Sequence, residues 1–279
     1  MKRILLTGAT GFLGAQVLKA LNNKDVSIKV ITRGSWDNFF SKHKKISEIV
    51  HTKNFFTENS EWYRNICKDV DIIIHVAWYA EPGKYLESDL NLECLSGTLN
   101  FAQAAAELGV KKFVGIGTCF EYDLTSTNLL DTHSPLNPQF LYSTAKATTF
   151  LTLSKYFKNK NIDFLWNRVF YLFGEGEDDR RLVAVLQKKL SQGETVDLTS
   201  GDQIRDFLDV EIAGLLIVNS SLGRNVGPFN VCSGEAQSIR ELAEKIADKY
   251  GRRDLLNFGA RPDNLSDAQF VVGVPTKTS

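Results

Sequence analysis

Apolar and polar positions along the chain fall into blocks of two lengths. Short apolar runs occupy residues 4–6, 26–31, 71–77, 112–118 and 162–169. Runs this short, bounded by polar or glycine-bearing turns, predict strands buried on both faces. Longer stretches between them predict helices over 15–21, 85–108 with Gly109 as a stop, and 142–157. A fainter strand is expected at 46–50, inside a polar and aromatic stretch running from 35 to 68. Strand and helix alternate, which predicts a parallel sheet with helices on both faces. Beyond about residue 170 the rhythm loosens. A helix is expected near 181–192, and Ser238-Ile-Arg-Glu241 reads as a capping box opening a helix that ends near Tyr250. From Asn257 the chain reads as loop.

The first strand runs into Thr7-Gly8-Ala9-Thr10-Gly11-Phe12-Leu13-Gly14. Glycines at this spacing let a strand turn sharply into a helix. The turn presents bare backbone N–H groups and the positive end of the helix dipole, which suits a pyrophosphate. The same glycines also suit a tight turn that binds nothing, so the rest of the chain must supply the remainder of a nucleotide site.

It does so in three places. The second strand ends at Thr32-Arg33-Gly34, where a carboxylate would hold a ribose 2′-OH and an arginine accommodates a 2′-phosphate. With Thr32 and Arg33 and no acid, the position favours NADP(H) and leaves NAD open. The third clear strand carries His75, read as a packed residue, and leads past Ala77 to the loop Trp78-Tyr-Ala-Glu-Pro-Gly83, at the strand end where ligands bind in open α/β sheets. Finally, Thr118 ends a strand and Tyr142-Ser-Thr-Ala-Lys146 opens a helix. Tyrosine and lysine four apart share a helix face. An ammonium one turn away favours the phenolate and would bring a tyrosine of ordinary pKa about 10 towards a useful range. Thr118 is placed to hydrogen-bond the same substrate oxygen.

Composition narrows the field only by exclusion. Lys and Arg total 33 against 33 Asp and Glu, so no overall charge supports a nucleic-acid or membrane-surface partner. No apolar run is long enough to span a bilayer, and the N-terminus enters a strand without a signal-peptide pattern. Cys67, Cys94, Cys119 and Cys232 lack metal-type spacing and predict free thiols in a reducing cytoplasm. The four histidines are isolated, so no metal site is expected.

The glycine turn, Thr118 and Tyr142-x-x-x-Lys146, in this order, resemble the extended short-chain dehydrogenase/reductases, and in particular the NAD(P)-dependent epimerase/dehydratase family acting on nucleotide sugars. Arg168-Val-Phe-Tyr-Leu-Phe-Gly174, Gln203-Ile-Arg-Asp-Phe207 and Phe229-Asn-Val-Cys-Ser-Gly234 extend the likeness over nearly the whole chain. The resemblance implies an α/β protein with a Rossmann-type doubly wound parallel sheet and a smaller C-terminal α/β substrate domain. The corresponding division is a cofactor domain over 1–168, with 204–222 returning to it, and a substrate domain over 169–203 and 223–279. It also implies catalysis by Thr118, Tyr142 and Lys146, with Gly8, Thr10, Gly11, Phe12, Leu13, Gly14, Arg33, Ala77, Tyr142 and Lys146 around the cofactor. Thr118 and Cys119 would meet the sugar, and Arg205 and Arg261 the substrate diphosphate, a role that suits the arginine fork. Phe173 and Gly174 would border the sugar pocket. A homodimer through the helices at 85–108 and 142–157 is a further family expectation.

Two departures bear on the reaction. Nucleotide-sugar 4,6-dehydratases carry an Asp-Glu pair straight after the catalytic Thr; here Cys119 and Phe120 stand there, and Phe120 cannot exchange a proton. The chain also stops soon after Arg261, where the family adds helical segments, implying a reduced substrate lid or a shortened chain. The first functional reading is NADPH-dependent reduction of a 4-keto-6-deoxy nucleotide sugar. The second is a 4-epimerase with tightly held NAD. The third is a non-catalytic NADP-sensing regulator, which the presence of both Tyr142 and Lys146 disfavours.

Overall fold

A computed structural model of the chain describes residues 1–264 and 267–279. The first half builds β1 (Lys2–Thr7), α1 (Phe12–Leu21), β2 (Val26–Thr32), a single turn α2 (Asp37–Phe40), β3 (Ile46–His51), α3 (Ser60–Cys67), β4 (Ile72–His75), α4 (Leu90–Glu107), β5 (Lys112–Thr118), α5 (Leu141–Lys158) and β6 (Asp163–Val169). The second half adds β7 (Tyr171–Phe173), α6 (Leu182–Ser191), β8 (Val196–Asp197), β9 (Ile204–Arg205), β10 (Phe207–Asp209), α7 (Val210–Leu222), β11 (Gly227–Val231), β12 (Gln237–Ser238), α8 (Ile239–Asp248), β13 (Leu256–Asn257) and β14 (Phe270–Val271).

Among the described residues the main sheet has seven strands in the order β11-β6-β5-β4-β1-β2-β3, all parallel. This is the doubly wound arrangement of a Rossmann-type fold, and its order reverses between β1 and β4, where such sheets bind ligands. Successive residues of β1 face opposite layers. Ile4 and Leu6 pack with Val17 and Leu18 of α1 and Ile217 and Val218 of α7. Leu5 packs on the other side with Phe101 of α4 and Leu153 and Phe157 of α5. Burial on both faces is why the central strands read as continuous apolar runs. β3 is an edge strand with no fully buried position, which explains its fainter signal.

The helices start and stop where side chains can satisfy their ends. The Asn59 side chain accepts the Trp62 N–H at α3, and Asp209 accepts the Glu211 N–H at α7. The capping box at Ser238 and Glu241 is formed. The expected helix over 85–108 divides: Tyr85–Glu87 is a 3-10 turn, and α4 begins only at Leu90. Gly109 follows it with φ +71, as a stop should.

The smaller unit packs its own core from α6 and α8, with Leu186, Leu190, Leu242 and Ile246. One expected boundary moves. Residues 227–231, read as part of the smaller unit, form β11 beside β6 in the main sheet. Its Pro228 is tolerated because β11 is an edge strand. The stretch from Asn257, read as loop, contributes β14, which pairs with β9. At that junction the buried Asp206 carboxylate accepts N–H groups from Ser233, Gly234 and Gly273. No helix among the described residues is long and apolar enough to cross a membrane.

Candidate active site

The glycine turn leaves β1 at Thr7. Gly8 has φ +74, and a Cβ there would lie 2.7 Å from the Ala77 nitrogen. Gly14 packs closer still: its Cβ would fall 1.9 Å from the Gly8 carbonyl oxygen. Gly11 is the N-cap of α1, and no side chain caps its first turn. The leading N–H groups of α1, flanked by Thr10, Phe12 and Leu13, are thus left for an anion. Gly14→Ala is expected to abolish nucleotide binding and lower the melting temperature, both readable in one thermal-shift titration with added nucleotide.

Thr7 ties this turn to the next strand end. Its hydroxyl meets His75 Nδ1 at 2.8 Å and accepts the Ala77 N–H at 3.2 Å, while His75 Nε2 lies 3.0 Å from the Thr98 hydroxyl. Burial pushes the His75 pKa down to about 3, so it is a neutral packed residue, as expected. At the end of β2, Thr32 is buried and its Oγ1 has no hydrogen-bond partner among the described residues. A buried hydroxyl left open, beside the exposed Arg33 and without a carboxylate, fits the adenosine-ribose end of a dinucleotide.

Thr118, Tyr142 and Lys146 converge at the carboxyl end of β5. The Thr118 side chain accepts the Phe120 N–H at 3.3 Å, which leaves its own hydrogen to donate. Tyr142 lies near the Thr118 side chain and packs edge-on against Tyr85, with ring centroids 4.8 Å apart. Lys146 is buried, and its Nζ donates to the Ile116 carbonyl at 2.7 Å. Burial lowers its pKa to about 7.

The expected effect of Lys146 on Tyr142 is not seen. Burial holds the Tyr142 pKa well above the ordinary value, and the nearby Tyr85, Glu121 and Cys119 push the same way. The Lys146 Nζ is 5.9 Å from the Tyr142 ring centroid and directed at Ile116 instead. Sharing a helix face brings the two residues near each other; it does not aim the ammonium at the hydroxyl.

Sequence reasoning missed what holds Thr118 in place. Glu121, fully buried, accepts the Thr118 N–H at 2.8 Å, Trp166 Nε1–H at 3.0 Å and Arg168 Nε–H at 2.8 Å. Arg168 also donates to Tyr122 Oη, which donates to Asn230. Gly117 makes room for this group, since a Cβ there would stand 2.2 Å from Trp166 Nε1. A signal was present: Thr118-Cys-Phe-Glu121 has capping-box spacing, and the box is formed.

Around the trio the walls are aromatic. Phe120 packs edge-on to Phe140 and Tyr171, each at 6.0 Å. Cys119 is buried and its thiol is pushed up to about 12, so it keeps its proton. Arg205 is buried, paired with Asp267 at 3.0 Å and 5.3 Å over the Tyr171 ring. Arg261 lies exposed on a loop anchored by its N–H to the Leu198 carbonyl. Among the described residues no cluster of His, Cys, Asp and Glu could hold a metal, and all four cysteines are free and buried.

A parallel sheet with an uncapped glycine turn at its switch point, and a Thr, Tyr and Lys trio at the neighbouring strand end, defines a dinucleotide-dependent α/β enzyme of the short-chain dehydrogenase/reductase type. The model of the NAD dependent epimerase/dehydratase family matches residues 4–218, and the chain belongs to that family. It is 27% identical over 280 residues to dTDP-6-deoxy-L-talose 4-dehydrogenase (NAD(+)) of Aggregatibacter actinomycetemcomitans, covering 97% of this chain and 98% of that protein. It is 26% identical to UDP-glucuronic acid decarboxylase 1 of Danio rerio, over 96% of this chain and 65% of that one. Among solved structures, a UDP-N-acetylglucosamine 4-epimerase from Methanobrevibacter ruminantium superposes with a TM-score of 0.86 at 22% identity, covering 99% of this chain and 90% of the other. The protein is therefore a nucleotide-sugar-modifying enzyme of this family.

Proposed function

We propose that the protein reduces the 4-keto group of a 6-deoxy nucleotide-diphosphate sugar to a hydroxyl, with NADPH as reductant. The observation that carries this reading is a proton-holding Tyr142 beside Thr118, with no carboxylate in the two positions after Thr118. Reduction needs a proton donor at the carbonyl oxygen, and a tyrosine kept neutral by burial is one. Dehydration needs an acid and base beside the sugar, and Cys119 and Phe120 supply neither. The likeness to a 4-dehydrogenase of a dTDP-6-deoxy sugar adds support, because that oxidation and a 4-keto reduction are one reaction in two directions.

A nicotinamide, when bound, supplies the hydride. The chain's own residues do the rest. Thr118 Oγ–H orients the carbonyl oxygen, and Tyr142 gives that oxygen its proton. Lys146, whose Nζ donates to the Ile116 carbonyl, offers its remaining N–H groups to the ribose of the cofactor. Arg205 and Arg261 take the substrate diphosphate, with Asp267 giving up Arg205 as the phosphate arrives. The same reading includes a homodimer through α4 and α5, whose Leu92 and Leu151 are more than half exposed.

Thr32 and Arg33 favour NADP(H); the NAD(+) named for the Aggregatibacter enzyme keeps NAD(H) as the second choice. Thr32→Asp is expected to move the ratio of Kd values towards NAD(H) by about tenfold or more, because the carboxylate repels a 2′-phosphate and accepts the 2′-OH. Calorimetric titration with both cofactors measures the ratio, and an unchanged ratio removes Thr32 from the ribose site. The alternative reaction is 4-epimerisation, which uses the same trio without net redox. The nucleotide that co-purifies separates the two. A reductase exchanges it with added NADPH, whereas retained NAD that never exchanges favours the epimerase.

A further inference from the structure

Lys146 is a buried amine whose charged form has no counter-ion. It is 3% exposed, and among the described residues its one hydrogen bond goes to the Ile116 carbonyl. An unpaired ammonium is expensive to bury. The titratable groups facing it are all committed or neutral. Glu121, beyond β5, is taken by Arg168, Trp166 and the Thr118 amide. On β4, His75 sits neutral between two hydroxyls. On α4, burial pushes the Cys94 thiol up to about 11. On α5, Tyr142 keeps its proton.

What does meet the ammonium is an aromatic face. Nζ lies 3.8 Å from the centroid of the Trp78 ring, against 5.9 Å for Trp166. The indole is itself held. Its Nε1–H donates to Asn91 Oδ1 at 2.9 Å, and the buried Asn91 donates to the Tyr85 and Ser88 carbonyls at 2.6 and 2.9 Å. Phe56 packs edge-on to it at 6.3 Å.

We propose that Trp78 is the positioning residue for Lys146: its indole face, clamped by Asn91, takes the place of a counter-ion and favours the charged form of the lysine at the ligand-binding ends of β4 and β5. The negative face of the ring attracts a cation without a hydrogen-bond acceptor's claim on its N–H groups. An ammonium held this way keeps donors for an incoming hydroxyl, which one locked to a carboxylate would not. The inference concerns the chain's own lysine, so it stands independently of which sugar the enzyme takes.

The test reads that lysine directly in the ligand-free protein. In a ¹³C-lysine NMR titration, the Cε signal missing from Lys146→Met identifies the residue. Trp78→Leu keeps apolar cover and removes the ring face, so the Lys146 midpoint is expected to fall by about 0.5–1.5 pH units. Trp78→Phe, with a weaker ring, is expected to fall less in the same direction. Cofactor affinity measured by calorimetry should weaken in Trp78→Leu more at pH 8 than at pH 6, where the lysine is recharged. An unmoved or raised midpoint in both variants overturns the proposal, as does Phe behaving like Leu. Should Trp78→Leu fail to fold, Trp78→Phe against the wild type decides it, and a midpoint equal to wild type overturns it.

Discussion

Tyr142→Phe is expected to lower kcat by roughly 10²–10⁴-fold, the range for loss of a positioned proton donor, with cofactor affinity and fold unchanged. The variant removes one oxygen. The ring remains packed against Tyr85 at 4.8 Å, and Lys146 keeps its bonds to Ile116 and its place over Trp78. The loss should therefore fall on kcat and kcat/KM together, as for an interaction made in the transition state. Steady-state kinetics with a nucleotide-sugar substrate, alongside calorimetry with the cofactor, measure both. A variant keeping more than roughly a tenth of the wild-type rate would move the proton-donor role elsewhere.

The second large effect is on stability. Arg168→Met leaves the Glu121 carboxylate buried without its cation, at a cost of about 3–5 kcal/mol. For a chain of this size that lowers Tm by roughly 5–9 °C. The pair is among the most buried charges in the molecule, with side chains 1% and 0% exposed and 2.8 Å apart. Glu121 also accepts from Thr118 and Trp166, so replacing it with an apolar residue would orphan two buried donors. The double variant Glu121→Gln/Arg168→Met keeps an uncharged acceptor for both. It should recover more than half of the lost stability in thermal or urea melts, whereas a double variant no more stable than Arg168→Met would mean the carboxylate charge is not the cause.

The parts of the fold and site that were legible in the sequence are those written in local spacing. Central strands buried on both faces are continuous apolar runs, so β1, β2, β4, β5 and β6 read directly. The glycine turn and Tyr142-x-x-x-Lys146 are local patterns, and Thr118 marks a strand end. What was hidden depends on partners distant in sequence. Arg168 reaches Glu121 across 47 positions, and Trp78, just past β4, meets Lys146 of α5. β11 begins Gly227-Pro228, which does not read as a strand until its place at the sheet edge is known. The proton affinity of Tyr142 is hidden for a related reason: spacing gives the neighbour, but burial decides the shift.

The proposed function is net reduction at a sugar carbonyl by the Thr118, Tyr142 and Lys146 site. Its most direct measurement is cofactor oxidation, followed at 340 nm, with a panel of 4-keto-6-deoxy nucleotide sugars, the product read by NMR. One NADPH oxidised per 4-hydroxyl formed is expected for at least one member of the panel. No oxidation with any of them, together with an epimerised 4-hydroxyl sugar formed at constant cofactor redox state, would contradict it.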